Sequence, residues 1–285
     1  MLDRVARLNQ PTRHRLRTFL EAARFEVLPL PDVVRRAEPL VEGAEVAVTA
    51  DPEKGMGATV GASVALAGSG YRPVPHLSAR LMRDRAEVDE TLASLTAAGV
   101  DRVLVVGGVA DSPGPYLDAG SLMDVVGTGA FDIGIAGYPE GHHGLSDDVV
   151  EKAIRDKAPA ASWITTQICF SPRRIEAWLR RLRSDGVALP VWLGVPAVAD
   201  LTGMMSLGLK VGPGRSLRFL FEHPRLVSRL LRPGGRAATR LVSQLAHLAT
   251  DPTLGIAGFH VFTYHQVAAA DRWRRGLLRK LERSL

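Results

Sequence analysis

Short apolar runs alternate along this chain with longer stretches of helical periodicity, and the alternation predicts strands and helices in turn. The strand patterns are Arg24 to Pro29, Glu45 to Thr49, Arg72 to His76, Arg102 to Val106, Asp132 to Tyr138, Trp163 to Gln167, Pro190 to Val195 and Gly258 to Thr263. Between them lie helix patterns: Pro31 to Val41, a small-residue helix reaching about Ala67, Ala86 to Ala98 with a Gly99 stop, Leu117 to Val126, Ser146 to Lys157 capped by Ser146, and Pro172 to Ser184. A longer helical region, about 199–249, precedes the last strand, and Ala268 to Leu285 is a closing basic helix. Eight strands each followed by helix predict a single α/β domain over 1–285, a (β/α)8 barrel of the TIM type. An additional helix over about 12–23, with Thr12 as cap and Leu16, Phe19, Leu20 and Ala23 on one face, is expected outside the barrel, closing its base. No GxGxxG follows a first strand, which weighs against a doubly wound sheet.

The 285 residues and 46% hydrophobic content suit one large core. No apolar run is long enough to span a bilayer, and the opening segment has neither an h-region nor a cleavage site, so a cytoplasmic protein without a membrane partner is expected. The one cysteine, Cys169, excludes an internal disulfide and a cysteine-based cluster. A net charge of +6 raises nucleic acid as a partner, but the basic residues are spread through helices without interleaved aromatics, so none is expected. A basic rim would instead attract an anionic small molecule. The sequence leaves a homo-oligomer open.

Barrel chemistry sits at the carboxyl ends of the strands, which makes candidates of the polar residues that lie in, end or follow them: Glu26, Thr49, His76, Asp111, Tyr138, His142, Gln167 and Thr263. Any one of them alone reads as a hydrogen-bonded structural residue; their convergence on strand ends is what singles them out. Glu26, a lone carboxylate between Phe25 and Val27, needs a reason to be in a strand, and a carboxyl group partly withdrawn from water there suits proton transfer.

Several of these runs resemble the methylenetetrahydrofolate reductase family, in order, from Arg24 to about Gln266. RFEVLP is similar to the family's Phe-Glu-Phe-Phe-Pro strand, EVAVT to its second strand ending in Thr, and PHL to its Pro-His-Leu. YPEGH resembles Tyr-Pro-Glu-x-His, ITTQICF resembles Ile-Thr-Gln-x-x-Phe, and FHVFTYHQ resembles the final strand. The resemblance implies reduction of 5,10-methylenetetrahydrofolate to 5-methyltetrahydrofolate with NADH or NADPH. It implies Glu26 as the general acid that opens the imidazolidine ring, Gln167, Asp111 and Thr49 at the folate, and His76, Tyr138, His142 and Lys157 at a cofactor. Gln167 would both donate to and accept from the pterin's amide edge. Flavoprotein members carry Arg-Gly-Asp after strand four; here Gly107 or Gly108 stands where the arginine would be. FAD is therefore disfavoured, although His76, Tyr138, His142 and Lys157 would still be able to hold it. The alternatives are an FAD-dependent reductase, or a pterin-binding barrel with a methyltransferase or regulatory role.

Other motifs carry less. His142, His143, His260 and His265 lack the paired spacing of a metal site, so no metal is expected. Cys169 reads as a small buried hydrophobe, and VGPGRS, Val211 to Ser216, as a loop before a helix, whose N–H groups could meet a phosphate.

Overall fold

The computed structural model describes residues 8–110, 112–142, 145–197 and 236–282. Its eight strands are β1 (Arg24–Val27), β2 (Glu45–Val48), β3 (Arg72–Ser78), β4 (Arg102–Val106), β5 (Asp132–Gly137), β6 (Trp163–Thr166), β7 (Val191–Pro196) and β8 (Ile256–Phe262). Neighbours in sequence pair in parallel all the way round, and β8 closes on β1, so the sheet is a closed barrel. The helices are α1 (Gln10–Glu21), α2 (Val33–Ala37), α3 (Gly55–Gly68), α4 (Arg85–Ala97), α5 (Ala119–Val126), α6 (Asp147–Lys157), α7 (Pro172–Ser184), α8 (Arg236–Leu248) and α9 (Val267–Glu282). The (β/α)8 barrel expected from the alternation is the observed fold. Of the helical region expected over about 199–249, only α8 and the turn after it fall within the described residues; Val211 to Ser216 lie outside them.

The strand alternation separates two apolar layers. Residues such as Val46, Val48, Val103, Val105, Ile133, Ile135, Leu193 and Phe259 belong to the large core shared with the helices. Ala47, Val74, Leu104 and Trp163, with Val106 and Trp192 against them, form a second cluster that fills the barrel. The two tryptophans fit because glycines face them: a Cβ on Gly134 would lie 2.3 Å from the Trp163 ring, and one on Gly258 2.6 Å from Trp192.

The amino end of the barrel is closed by charge. Arg24, Glu45, Arg72, Arg102 and Asp132 are the first residues of five consecutive strands. Arg24, Arg72 and Arg102 all pair with Glu45, and Arg102 also reaches Asp132 at 4.0 Å. The buried Arg24 guanidinium lies 3.7 Å from the Trp192 ring centroid and 4.8 Å from that of Trp163. This network occupies the position that the sequence pattern assigns to the first helix. Instead, α1 packs beside α8 and α9 on the outer face of β8, where Phe19 meets Phe259 edge-on at 5.3 Å. Its cap is Asn9, whose side chain accepts from the Thr12 N–H at 3.0 Å, while Thr12 itself is buried within the helix. Leu16, Phe19 and Leu20 form its buried face, as the spacing predicts.

Candidate active site

At the opposite, carboxyl end the described residues gather ionisable and unpartnered polar groups. Glu26, the third residue of β1, faces into the barrel, because its neighbours Phe25 and Val27 belong to the outer core. Those two residues therefore do not enclose the carboxyl group, contrary to the expectation from their place in the sequence. His260 does: its Nε2 lies 3.1 Å from Glu26 Oε2, joining adjacent strands β8 and β1. The Glu26 side chain keeps 17% of its surface accessible, against 2% for that of His260. His76, on β3, stacks towards His260 with ring centroids 6.1 Å apart. Burial holds the His76 imidazole down to about 4, opposed by the Glu26 charge, so it is neutral at physiological pH. Glu26, His76 and His260 each offer one donor atom, and the three atoms lie within 4.8 Å of one another.

The turn after β8 continues this wall. Thr263 donates its hydroxyl to the Glu26 carbonyl oxygen and accepts the His265 N–H at 3.1 Å. Tyr264 and His265 have φ of 48° and 63°, the left-handed region that non-glycine residues seldom adopt. The Tyr264 hydroxyl is buried without a hydrogen-bond partner, and burial with the Glu26 charge raises its pKa strongly. His265 Nε2 lies 3.4 Å from Asp32 Oδ1; burial, then Arg36, lowers its pKa to about 4 against the pull of Asp32.

The remaining sequence candidates spread around the mouth. Thr49 follows β2, with its Oγ1 buried and without a hydrogen-bond partner. Tyr138 follows β5 and meets His142 edge-on at 4.8 Å, and burial raises its phenol pKa. Gln167 is the first residue after β6 and is exposed; its Oε1 accepts the Ile168 N–H at 2.9 Å. An amide oxygen accepts two hydrogen bonds, so both ends of this side chain can still meet a ligand. Lys157 is the last residue of the eleven-residue α6. Burial lowers its pKa, opposed by Asp118 and Asp156. Asp111 and His143 lie outside the described residues.

The structure thus brings Glu26 together with His76, and Tyr138 with His142, and adds His260 and Tyr264, to which the sequence alone assigns no role. For His260 the signal was alternation, since Gly258, His260 and Phe262 share the inward face of β8; Tyr264, in the turn beyond the strand, gave none. Cys169 is buried, donates to the Ser171 carbonyl at 3.4 Å and has its pKa pushed up to about 12, which excludes a reactive thiolate at neutral pH.

A polar mouth over a closed base places this chain among the (β/α)8 barrels that work at the carboxyl ends of their strands. The profile of the methylenetetrahydrofolate reductase family matches residues 32–208. The chain belongs to the methylenetetrahydrofolate reductase family and is a folate enzyme of that type, with a small-molecule substrate. The match begins after Glu26 and ends before β8, so the Glu26–His260 pair stands on the geometry. Among solved structures, oxaloacetate acetylhydrolase is 10% identical over 96% of this chain and 86% of its own, with a TM-score of 0.52, a likeness of fold alone. Dihydropteroate synthase from Thermus thermophilus is 17% identical over 93% of this chain and 95% of its own, with a TM-score of 0.45. Among the described residues no helix is long and apolar enough to cross a membrane.

Proposed function

We propose that the protein reduces 5,10-methylenetetrahydrofolate to 5-methyltetrahydrofolate with hydride from NADH or NADPH, delivered directly and without FAD. The carrying observation is Glu26, half-buried in the mouth and held by His260 at 3.1 Å. A carboxyl group there can give a proton to a ring nitrogen of the substrate, which opens the imidazolidine to an iminium; hydride from the nicotinamide then completes the methyl group. General acid catalysis needs that fixed geometry first. The Gln167 NH2 would hold the pterin's carbonyl edge, and Thr49 Oγ1, buried and unpaired, is a further group for a polar ligand to satisfy.

The same mouth would also have to hold the nicotinamide. Tyr138, His142 and His76 offer an aromatic and polar lining, and His76 Nε2 is buried without a hydrogen-bond partner. What favours the flavin-free route is the loop after β4. Gly107 or Gly108 stands where the flavoprotein pattern has its arginine; a Cβ on Gly108, at φ +70°, would lie 1.8 Å from Ser78 Oγ, while one on Gly107 meets nothing nearer than 3.9 Å, so it is the missing guanidinium that argues against a flavin.

The test is turnover and colour together. Purified protein, with no flavin added, should be colourless and oxidise NADH or NADPH only when methylenetetrahydrofolate is present. A yellow preparation whose activity follows its FAD content would return the chain to the flavoprotein branch. A colourless one that binds folate without oxidising either nucleotide would favour a methyltransferase or regulatory role.

A further inference from the structure

We propose that Glu26, His76 and His260 form a binding site for a divalent transition-metal ion, best matched by zinc, and that its occupancy silences the reductase. Three strands supply the ligands: β1, β3 and β8 each turn one of them into the barrel. Both histidines are buried, at 8% and 1% exposure, and the three donor atoms lie within 4.8 Å of one another. Two donors on one tetrahedral zinc stand about 3.3 Å apart. His260 Nε2 and Glu26 Oε2, at 3.1 Å, already have that spacing, and His76 has to close by about an ångström or more. His76 also leaves Nε2 buried with no hydrogen-bond partner, a cost that a ligand at this point would relieve.

The donor set selects the ion. Two imidazoles and one carboxylate suit zinc and its transition-metal neighbours, whereas magnesium and calcium prefer all-oxygen shells. Three protein ligands leave a fourth position open, as in sites where water or substrate completes the shell. The outer shell argues for an exchangeable ion and not a permanent one. Histidine ligands ordinarily donate their second N–H to an oxygen, yet His260 Nδ1 is buried with no partner.

The inhibitory consequence rests on the reading of Glu26 as proton donor. A carboxylate oxygen that ligates the ion cannot at the same time give a proton to the folate, and an ion between His76 and Glu26 occupies the space the substrate's ring nitrogen would approach. Zinc and methylenetetrahydrofolate should therefore compete.

The site is tested by isothermal titration of untagged, chelator-treated protein with zinc, with magnesium as comparator. We expect one zinc per chain and no saturable magnesium binding. His76→Ala and His260→Ala should each weaken zinc by more than the roughly 10- to 100-fold that loss of an outer-shell partner costs, while His247→Ala, on the exposed face of α8, should not. No saturable zinc binding, or an unchanged isotherm in both inner variants, would overturn the site. If those variants do not fold, cobalt added to the parent protein decides: visible absorption of a four- or five-coordinate ion supports the site, and only the spectrum of hexaaquo cobalt overturns it. Turnover should fall in step with zinc occupancy and return with chelator, and full activity in the zinc-loaded protein would overturn the inhibition. A normal isotherm with no turnover in the metal-free protein would instead count against the reductase reading and leave the ion site standing.

Discussion

A carboxylate placed inside a barrel strand must be paired or hydrogen-bonded, and Glu26 meets that condition through His260 without losing its access to the mouth. Glu26→Gln keeps the shape and the hydrogen-bonding capacity but has no proton to give. It should fold normally and lose about 10²- to 10⁴-fold in turnover number, read from nucleotide oxidation; an unaltered value would remove Glu26 from the chemistry. Gln167 is asked for less. Gln167→Ala should weaken folate binding by roughly 1 to 3 kcal/mol through an unpaired amide edge, and calorimetry showing equal affinity would place the pterin elsewhere. The histidines bear on stability. Burial lowers His76 and His265 to about 4, against 6.5 for the unfolded chain, so the unfolded state binds more protons between those values. Their contribution is complete above pH 6.5 and is lost as pH falls towards 4, by up to about 1.4 kcal/mol per pH unit for each group. Urea unfolding at pH 7, 6 and 5 should show that decline, and a flat profile would contradict it. The site was only partly legible residue by residue. Glu26 stood out as a charge in an apolar strand, whereas His260 sits in FHVFTYHQ like any strand polar residue until its partner on β1 is known.

At the scale of elements, patterns set by local chemistry read directly from the sequence and those set by tertiary contact did not. Pro172 to Ser184 begins with proline at its first turn and matches α7 at both ends. The expected helix Pro31 to Val41 shrinks to the five residues of α2, and β3 runs two residues past His76 to Ser78. That extension matters, because Ser78 packs under the loop after β4. Gly108→Ala would combine a positive φ with a Cβ 1.8 Å from Ser78 Oγ, whereas a Cβ on Gly107 meets nothing nearer than 3.9 Å. We expect Gly108→Ala to lose about 1 to 3 kcal/mol of stability and Gly107→Ala clearly less, compared by chemical denaturation. Equal effects would mean that the loop is not fixed by Ser78. The turn after β8 was hidden for a related reason: nothing in the residue types of Tyr264 and His265 announces left-handed backbone, which contacts to Glu26, Asp32 and Arg36 hold in place.

For the whole molecule, the closed barrel supplies what no single strand has. Its amino end is sealed by the first residues of five strands around Glu45, so a ligand is left with the carboxyl end. Closure also makes β8 the neighbour of β1, which is why residues 234 apart in sequence form the central pair. The (β/α)8 order was legible because it depends on alternation; the pairing was not, because it depends on closure and on which face of β8 turns inward. The family match over residues 32–208 spans the middle of this barrel, and Glu26 and His260 flank it. The proposed direct passage of hydride from nicotinamide to folate requires both to be held in this mouth at once, with their reacting carbons about 3 to 3.5 Å apart. The most direct measurement is the fate of deuterium from NADH or NADPH carrying two deuterons at C4, followed by mass spectrometry of the product after turnover in ordinary water. Direct transfer predicts one deuterium in every methyl group of 5-methyltetrahydrofolate. Loss of that deuterium to solvent, through an exchangeable flavin nitrogen, would contradict it.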